Sequence, residues 1–228
     1  MAVAFDAATS AQEAGGDGII SLSHTSTGSD LGGFAGQGNS AGAGGSATNS
    51  ITWGGTGMTE KWDLTGGSFH AASGYTIAGQ ASGAQTVTAT EATGSRDEQV
   101  LITCSFTGVD QTTPVGTAVT STTNTSTPSV TVGSVGADDF VVDFVYAGDG
   151  LTATTTAGAN QTERDKEVIA GNVGVLSTQD GADGGVMSWT LSGTPGFGTI
   201  IGAIAFKPTA GAGGTFFMHD KMLLLGVS

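Results

Sequence analysis

Short runs of alternating apolar and polar residues constrain this chain more than any other feature. In "DFVVDFVYAG" (139–148), Phe140, Val142, Phe144 and Tyr146 share one parity, and Val141, Asp143 and Val145 share the other. A strand places those two sets on opposite faces. Comparable runs are "GIISLSHT" (18–25), "SITWGG" (50–55), "MTEKWDL" (58–64), "GYTIAG" (74–79), "AQTVTATEA" (84–92), "EQVLITCSF" (98–106), "PSVTVGSV" (128–135), "GVMSWTLSG" (185–193) and "GTIIGAIAF" (198–206). Gly, Asn, Asp and Ser bound them, giving a turn signal every 8–12 residues or so, the rhythm of a sandwich or barrel. Only 11% of residues are charged, too few for long solvated helices. The expected fold is all-β: an antiparallel β-sandwich of jelly-roll type with a C-terminal tail strand. The charged "QTERDKEVIA" (161–170) is the one stretch with room for a helical turn. No internal repeat stands out.

Two segments break the rhythm. "LGGFAGQGNSAGAGGSATN" (31–49) carries Phe34 as its only large apolar side chain after Leu31, and reads as a Gly-rich loop draped over the surface. "KPTAGAGGT" (207–215) reads as a linker. The expected organisation is a β-sandwich domain over 1–208, followed at 209–228 by the linker and an apolar strand. The terminal "FFMHDKMLLLGVS" (216–228) is unlike the polar, frayed ends most chains have. Phe216, Phe217, Met218, Met222, Leu223, Leu224, Leu225 and Val227 are therefore the candidate subunit-interface residues. Both parities from Met222 to Val227 are apolar, which suits a strand covered on both faces.

The formal net charge of −14 argues against nucleic acid, whose phosphates need clustered Lys and Arg, and against anionic membrane surfaces. No apolar stretch approaches membrane-spanning length. "MAVAFDAATS" has neither a basic nor an apolar leader region, so the expectation is folding in a cytosol without the general secretory route. Cys104 is the only cysteine, aligned with Val100, Ile102 and Phe106, and reads as a buried small hydrophobe.

Catalytic parts are scarce. His24, His70 and His219 lie in no recognisable motif and read as surface or strand-edge residues. Among Asp63, Glu91, Asp97, Glu98, Asp138, Asp139 and Asp143, nothing marks out the pair that glycoside hydrolysis needs. Trp53, Trp62 and Trp189 alternate with polar neighbours and read as core residues rather than sugar platforms. No cofactor is expected. Calcium is the one ion the pattern permits, at "GADDF" (136–140) and "TQDGADGG" (178–185), although Asp and Gly are also ordinary turn residues.

Three stretches together, "ITWGGTGMTEKWDL" (51–64), "QVLITCSFTGVDQTTPVGTAVT" (99–120) and "MSWTLSGTPGFGTIIGAIAFKP" (187–208), resemble a β-sandwich domain of tailed-phage virion structural proteins and bacterial surface proteins. The opening "MAVAFDAATS" is similar to the start of free-standing phage versions. In such domains a turn like the one in "SHTSTGSD" (23–30) leads into an aliphatic strand; here it meets the Gly-rich run, and "DKMLLLGVS" (220–228) looks like that strand displaced to the C-terminus. The resemblance implies a non-enzymatic structural subunit, a capsid decoration or tail surface protein located in the virion. Its partners would be itself, as a homo-oligomer joined by strand exchange, and other virion proteins. The alternatives are an extracellular or cell-surface filament or adhesin subunit with donor-strand contacts and, behind it, a carbohydrate-binding module.

Overall fold

The computed structural model describes residues 1–16, 18–40, 48–66, 70–91, 96–148, 154–193 and 195–209. Its first half contains β1 (Ala4–Gly16), β2 (Ile19–Ser26), β3 (Gly32–Ser40), β4 (Thr48–Trp53), β5 (Thr56–Gly57), β6 (Thr59–Gly66), β7 (His70–Ala78), β8 (Gly83–Glu91) and β9 (Arg96–Thr107). The second half contains β10 (Val119–Thr123), β11 (Ser129–Thr131), β12 (Phe140–Ala147), β13 (Thr155–Ala157), β14 (Thr162–Ile169), β15 (Asn172–Asp180), β16 (Val186–Leu191) and β17 (Thr199–Phe206). A single 3-10 turn, Gly181–Asp183, is the only helical element among the described residues. The chain is an all-β protein, and every strand pairing among the described residues is antiparallel.

The strands form four stacked layers. Two five-stranded sheets, β1-β9-β3-β7-β6 and β10-β17-β12-β15-β14, lie face to face in the centre. A four-stranded sheet, β2-β8-β4-β5, covers the first of them, and a three-stranded sheet, β11-β16-β13, covers the second. The second half repeats the order of the first, β10 standing for β1, β17 for β9, β12 for β3, β15 for β7 and β14 for β6. The sequence carries no trace of this repeat, because topology constrains burial parity rather than residue identity. At the central interface β1 lies against β14 and β6 against β10, so the halves are related by a pseudo-two-fold axis between β3 and β12.

Central position explains why β12 and β17 were legible. β12 and β17 are buried on both faces, and both read as continuous apolar runs. The even-numbered residues of β12 (Phe140, Val142, Phe144, Tyr146) enter the interface between halves, while Val141 and Val145 pack outward against Met187 and Trp189.

The Gly-rich stretch is the main correction. It is no surface loop: Gly32–Ser40 is β3, buried at every residue and hydrogen-bonded between β7 and β9 at the centre of its sheet. Residues 41–47 lie outside the described set, and Thr48 begins β4. The glycines face aromatic rings from the opposite sheet. A Cβ at Gly36 would stand 2.6 Å from Phe144 Cδ2, and one at Gly38 would stand 2.7 Å from Tyr146 Cε2. Trp62 fits likewise between Gly74 and Gly202, one from each central sheet, where added Cβ atoms would meet its ring at about 2.5–2.6 Å. Carbon pairs rest at roughly 3.5–4.0 Å, so only hydrogen fits these sockets. With β3 in place, the first half already has its strand after "SHTSTGSD" and needs none supplied from the C-terminus.

A second correction concerns "QTERDKEVIA". Its core is strand β14, paired with β15 and bulged between Glu163 and Asp165, with no helical turn. Charges and a bulge are what an exposed sheet edge uses to discourage further pairing. β1 escaped the alternation test because Ala, Gly, Ser and Thr fill most of it, and β15 because its apolar residues Val173, Val175 and Leu176 fall on both parities.

Candidate functional site

The side chains able to carry chemistry are gathered inside the layers. His24, on β2, is 0% exposed between the first central sheet and its cover, edge-on to Trp53 with ring centroids 4.9 Å apart. Its Nε2 is 2.9 Å from Ser105 Oγ, and Ser105 donates to Asp6 Oδ2 at 2.7 Å. Ser105 Oγ therefore accepts from His24 Nε2–H, and Nδ1 accepts from Thr9 Oγ1 at 3.1 Å. Asp6 also accepts from the Thr27 backbone N–H at 2.8 Å and the Thr27 hydroxyl at 2.5 Å. Burial pushes the Asp6 carboxyl up, but the donors from Thr27 and Ser105, with His24, outweigh it and leave it below the usual range. Burial holds the His24 imidazole below its ordinary value against the pull of Asp6.

A histidine, a serine and a carboxylate thus meet, but in the wrong order for nucleophile activation. That chemistry puts His between Ser and Asp, so that the imidazole takes the serine proton. Here Ser stands in the middle and gives its proton to Asp6. The arrangement pins β1 to β2 and β9.

His70, 2% exposed, joins the two halves. Its Nε2 donates to Asn172 Oδ1 at 3.0 Å, Asn172 Nδ2 donates to Glu98 Oε2 at 3.3 Å, and Ser40 Oγ donates to the same carboxylate oxygen. The ring also rests against Tyr146 and Phe197 at 5.7 and 5.1 Å between centroids. His24 and His70 are buried polar links, not the surface or edge residues expected from sequence. The signal for His24 was available: it shares the parity of Ile20 and Leu22 in β2.

Asp143 is the lone acid in the apolar run of β12 and is fully buried. Oδ1 accepts from the Ser177 backbone N–H (2.9 Å) and hydroxyl (2.7 Å), while Oδ2 accepts from Trp189 Nε1 at 2.7 Å. Burial drives the carboxyl up to about 7 despite these donors. In the first half a comparable polar chain runs from Ser73 to Thr48 to Gln37 to Glu91, all buried. Nearby Asp63 is pushed up to about 6 by burial and by the neighbouring Glu60 charge.

The other candidates separate cleanly. Trp53, Trp62 and Trp189 are 1%, 6% and 2% exposed, so none offers a face to a sugar. Cys104 is buried between the halves, and burial raises its thiol well above the ordinary range. In "GADDF", Asp139 accepts from the Gly136 N–H at 2.7 Å and pairs with Lys207 Nζ at 2.5 Å. Among the described residues no three His, Cys, Asp or Glu side chains gather as a metal group. A shallow cleft of about 370 Å³ lies beside Lys207, lined by Gly116, Thr117, Val119, Gly133 and Ser134. Phe216, Phe217, Met218, Met222, Leu223, Leu224, Leu225 and Val227 all lie outside the described residues.

Comparison with protein-family models, with curated proteins and with solved structures finds no match to this chain.

Proposed function

We propose that this chain is a non-enzymatic structural subunit of a phage virion, a capsid decoration or tail surface protein that assembles through its apolar C-terminal segment. The observation that carries the non-catalytic part is the wiring of His24, Ser105 and Asp6, in which each proton is already committed to a stabilising bond. The four-layer stack supports a building-block role, since its largest apolar core welds the two halves together instead of enclosing a ligand space. We also read each half as a jelly roll. What supports this is the order β1-β9-β3-β7 facing β2-β8-β4-β5, with the chain passing between the sheets from β5 to β6. The resemblance of residues 51–64, 99–120 and 187–208 to phage virion domains points to the particle.

The assembly test compares the parent with a deletion of 216–228 and with Leu224→Asp by sedimentation velocity and thermal melting. Burying four or five aliphatic side chains contributes very roughly 6–15 kcal/mol before ordering costs, so both variants are expected to dissociate. Unchanged mass and melting in both would end the strand-exchange reading. Immunogold labelling with antiserum to the purified protein addresses location: virions are the expected target, and labelled cell-surface filaments would transfer the protein to the filament class.

A further inference from the structure

We infer that edge strand β1 is the receptor for the C-terminal segment Met222–Val227 of a second copy of this chain, an assignment that rests on the strand-exchange reading above. The segment is apolar on both parities and therefore needs a sheet covered on both faces. Among the described strands only the two central sheets are covered so, and their edge strands are β1, β6, β10 and β14. Two of these are guarded. β6 carries Glu60, Lys61 and Asp63 and a bulge at Lys61, and β14 carries five consecutive charged residues and its own bulge. β10 spans only five residues. β1 spans 13, and after a bulge at Asp6 its ladder runs unbroken from Ala7 to Ala14.

From Ala7 to Gln12 this edge has no charge, no proline and only small or neutral polar side chains. Over that stretch the edge carries none of the charges or bulges that guard β6 and β14. Small residues beside incoming leucines would also repeat the match of glycine and aromatic that joins β3 to β12. β1 is a fixed template: Thr9 bonds His24, Ser10 donates to Glu167 at 2.7 Å, and Arg164 sits 3.9 Å over the Phe5 ring.

The exit point of the chain favours a second copy. Thr209 donates its N–H to Gly108 O at 2.9 Å, and a Cβ on Gly108 would stand 2.7 Å from Ala2 O. The described chain therefore ends beside the start of β1, so a tail that continued without reversing would meet its own β1 in parallel. All pairings among the described strands are antiparallel, and an inverted neighbour supplies that direction. Residues 210–221 reach about 40 Å if extended, the length of β1 itself, so two copies related by a two-fold can exchange tails reciprocally.

The test uses the full chain with p-benzoylphenylalanine in place of Leu224, prepared as an equal mixture of unlabelled and 15N-labelled protein. After irradiation, mass spectrometry locates each adduct and shows whether it joins different copies. The expected result is adducts between copies on residues 4–16, reduced at least about tenfold when Leu225→Asp is added. Adducts between copies on β6, β10, β14 or an outer sheet would overturn the β1 assignment while leaving strand exchange intact. Adducts confined to one copy, or none from a protein that sediments as a monomer, would overturn both.

Discussion

Replacing Gly38 by Ala adds one methyl group to the centre of β3 and tests whether glycine sockets hold the two halves together. The new Cβ would stand 2.7 Å from Tyr146 Cε2 and nearer still to Cγ and Cδ2 of the same ring. An ordinary carbon contact is roughly 3.5–4.0 Å, so a gap of about 1 Å or more must open. Tyr146 is fully buried, and its backbone is fixed between β15 and β17. The ring cannot turn aside without forcing the central sheets apart. Overpacking of this kind costs about 1–3 kcal/mol, and more where the site cannot relax; the stiffer unfolded chain of the Ala variant returns about 0.4–1. The expected net loss is about 1–2 kcal/mol, read as a lower urea midpoint with unchanged slope. Gly57→Ala is the control, because a Cβ there meets nothing within 4 Å; it should stay within about 0.5 kcal/mol of the parent. Combining Gly38→Ala with Tyr146→Val should recover part of the loss as a positive coupling. A Gly38→Ala variant as stable as the control would refute the socket argument.

Asp143 makes stability depend on pH in an unusual direction. Its folded value of about 7 lies above the ordinary 3.8, so between those limits the folded state keeps a proton that the unfolded chain releases. Stability from this group is therefore full below about pH 4 and declines as pH rises to about 7, by on the order of 4 kcal/mol. Urea titrations at pH 4.5 and 7.5 should show a decline in the parent and a shallower one in Asp143→Asn, where Asp63, also raised to about 6, keeps its share; a slope unchanged by the substitution counts against the reasoning. Cys104 should resist thiol reagents in the native protein and react only after unfolding, and rapid native labelling would contradict its burial. Ser105→Ala removes the acceptor of His24 and a donor to Asp6, and is expected to cost about 1–3 kcal/mol by urea titration; a neutral result would mean the His24 network does not pin β1.

The alternating runs by themselves determined the class of this protein and most of its strands. They also determined the two faces of β12, the burial of all three tryptophans and the inward position of Cys104, because side-chain parity is a property of any extended chain. Histidine burial was half legible: His24 follows the inward parity of its strand, whereas His70 owes its burial to Asn172 and Phe197, about a hundred or more residues away in the chain. Only the tertiary structure decided what the glycines were for. A run such as "GGFAGQGNS" has no apolar period and looks like a loop when judged by what its own side chains can bury. Its value lies in the opposite sheet, where Phe144 and Tyr146 need somewhere to go. The pairing of His24 with Ser105 and Asp6, the doubled strand order and the contrast among the four central edges were hidden for the same reason. Each depends on which strands become neighbours across a sheet or between layers, and sequence spacing does not encode that choice.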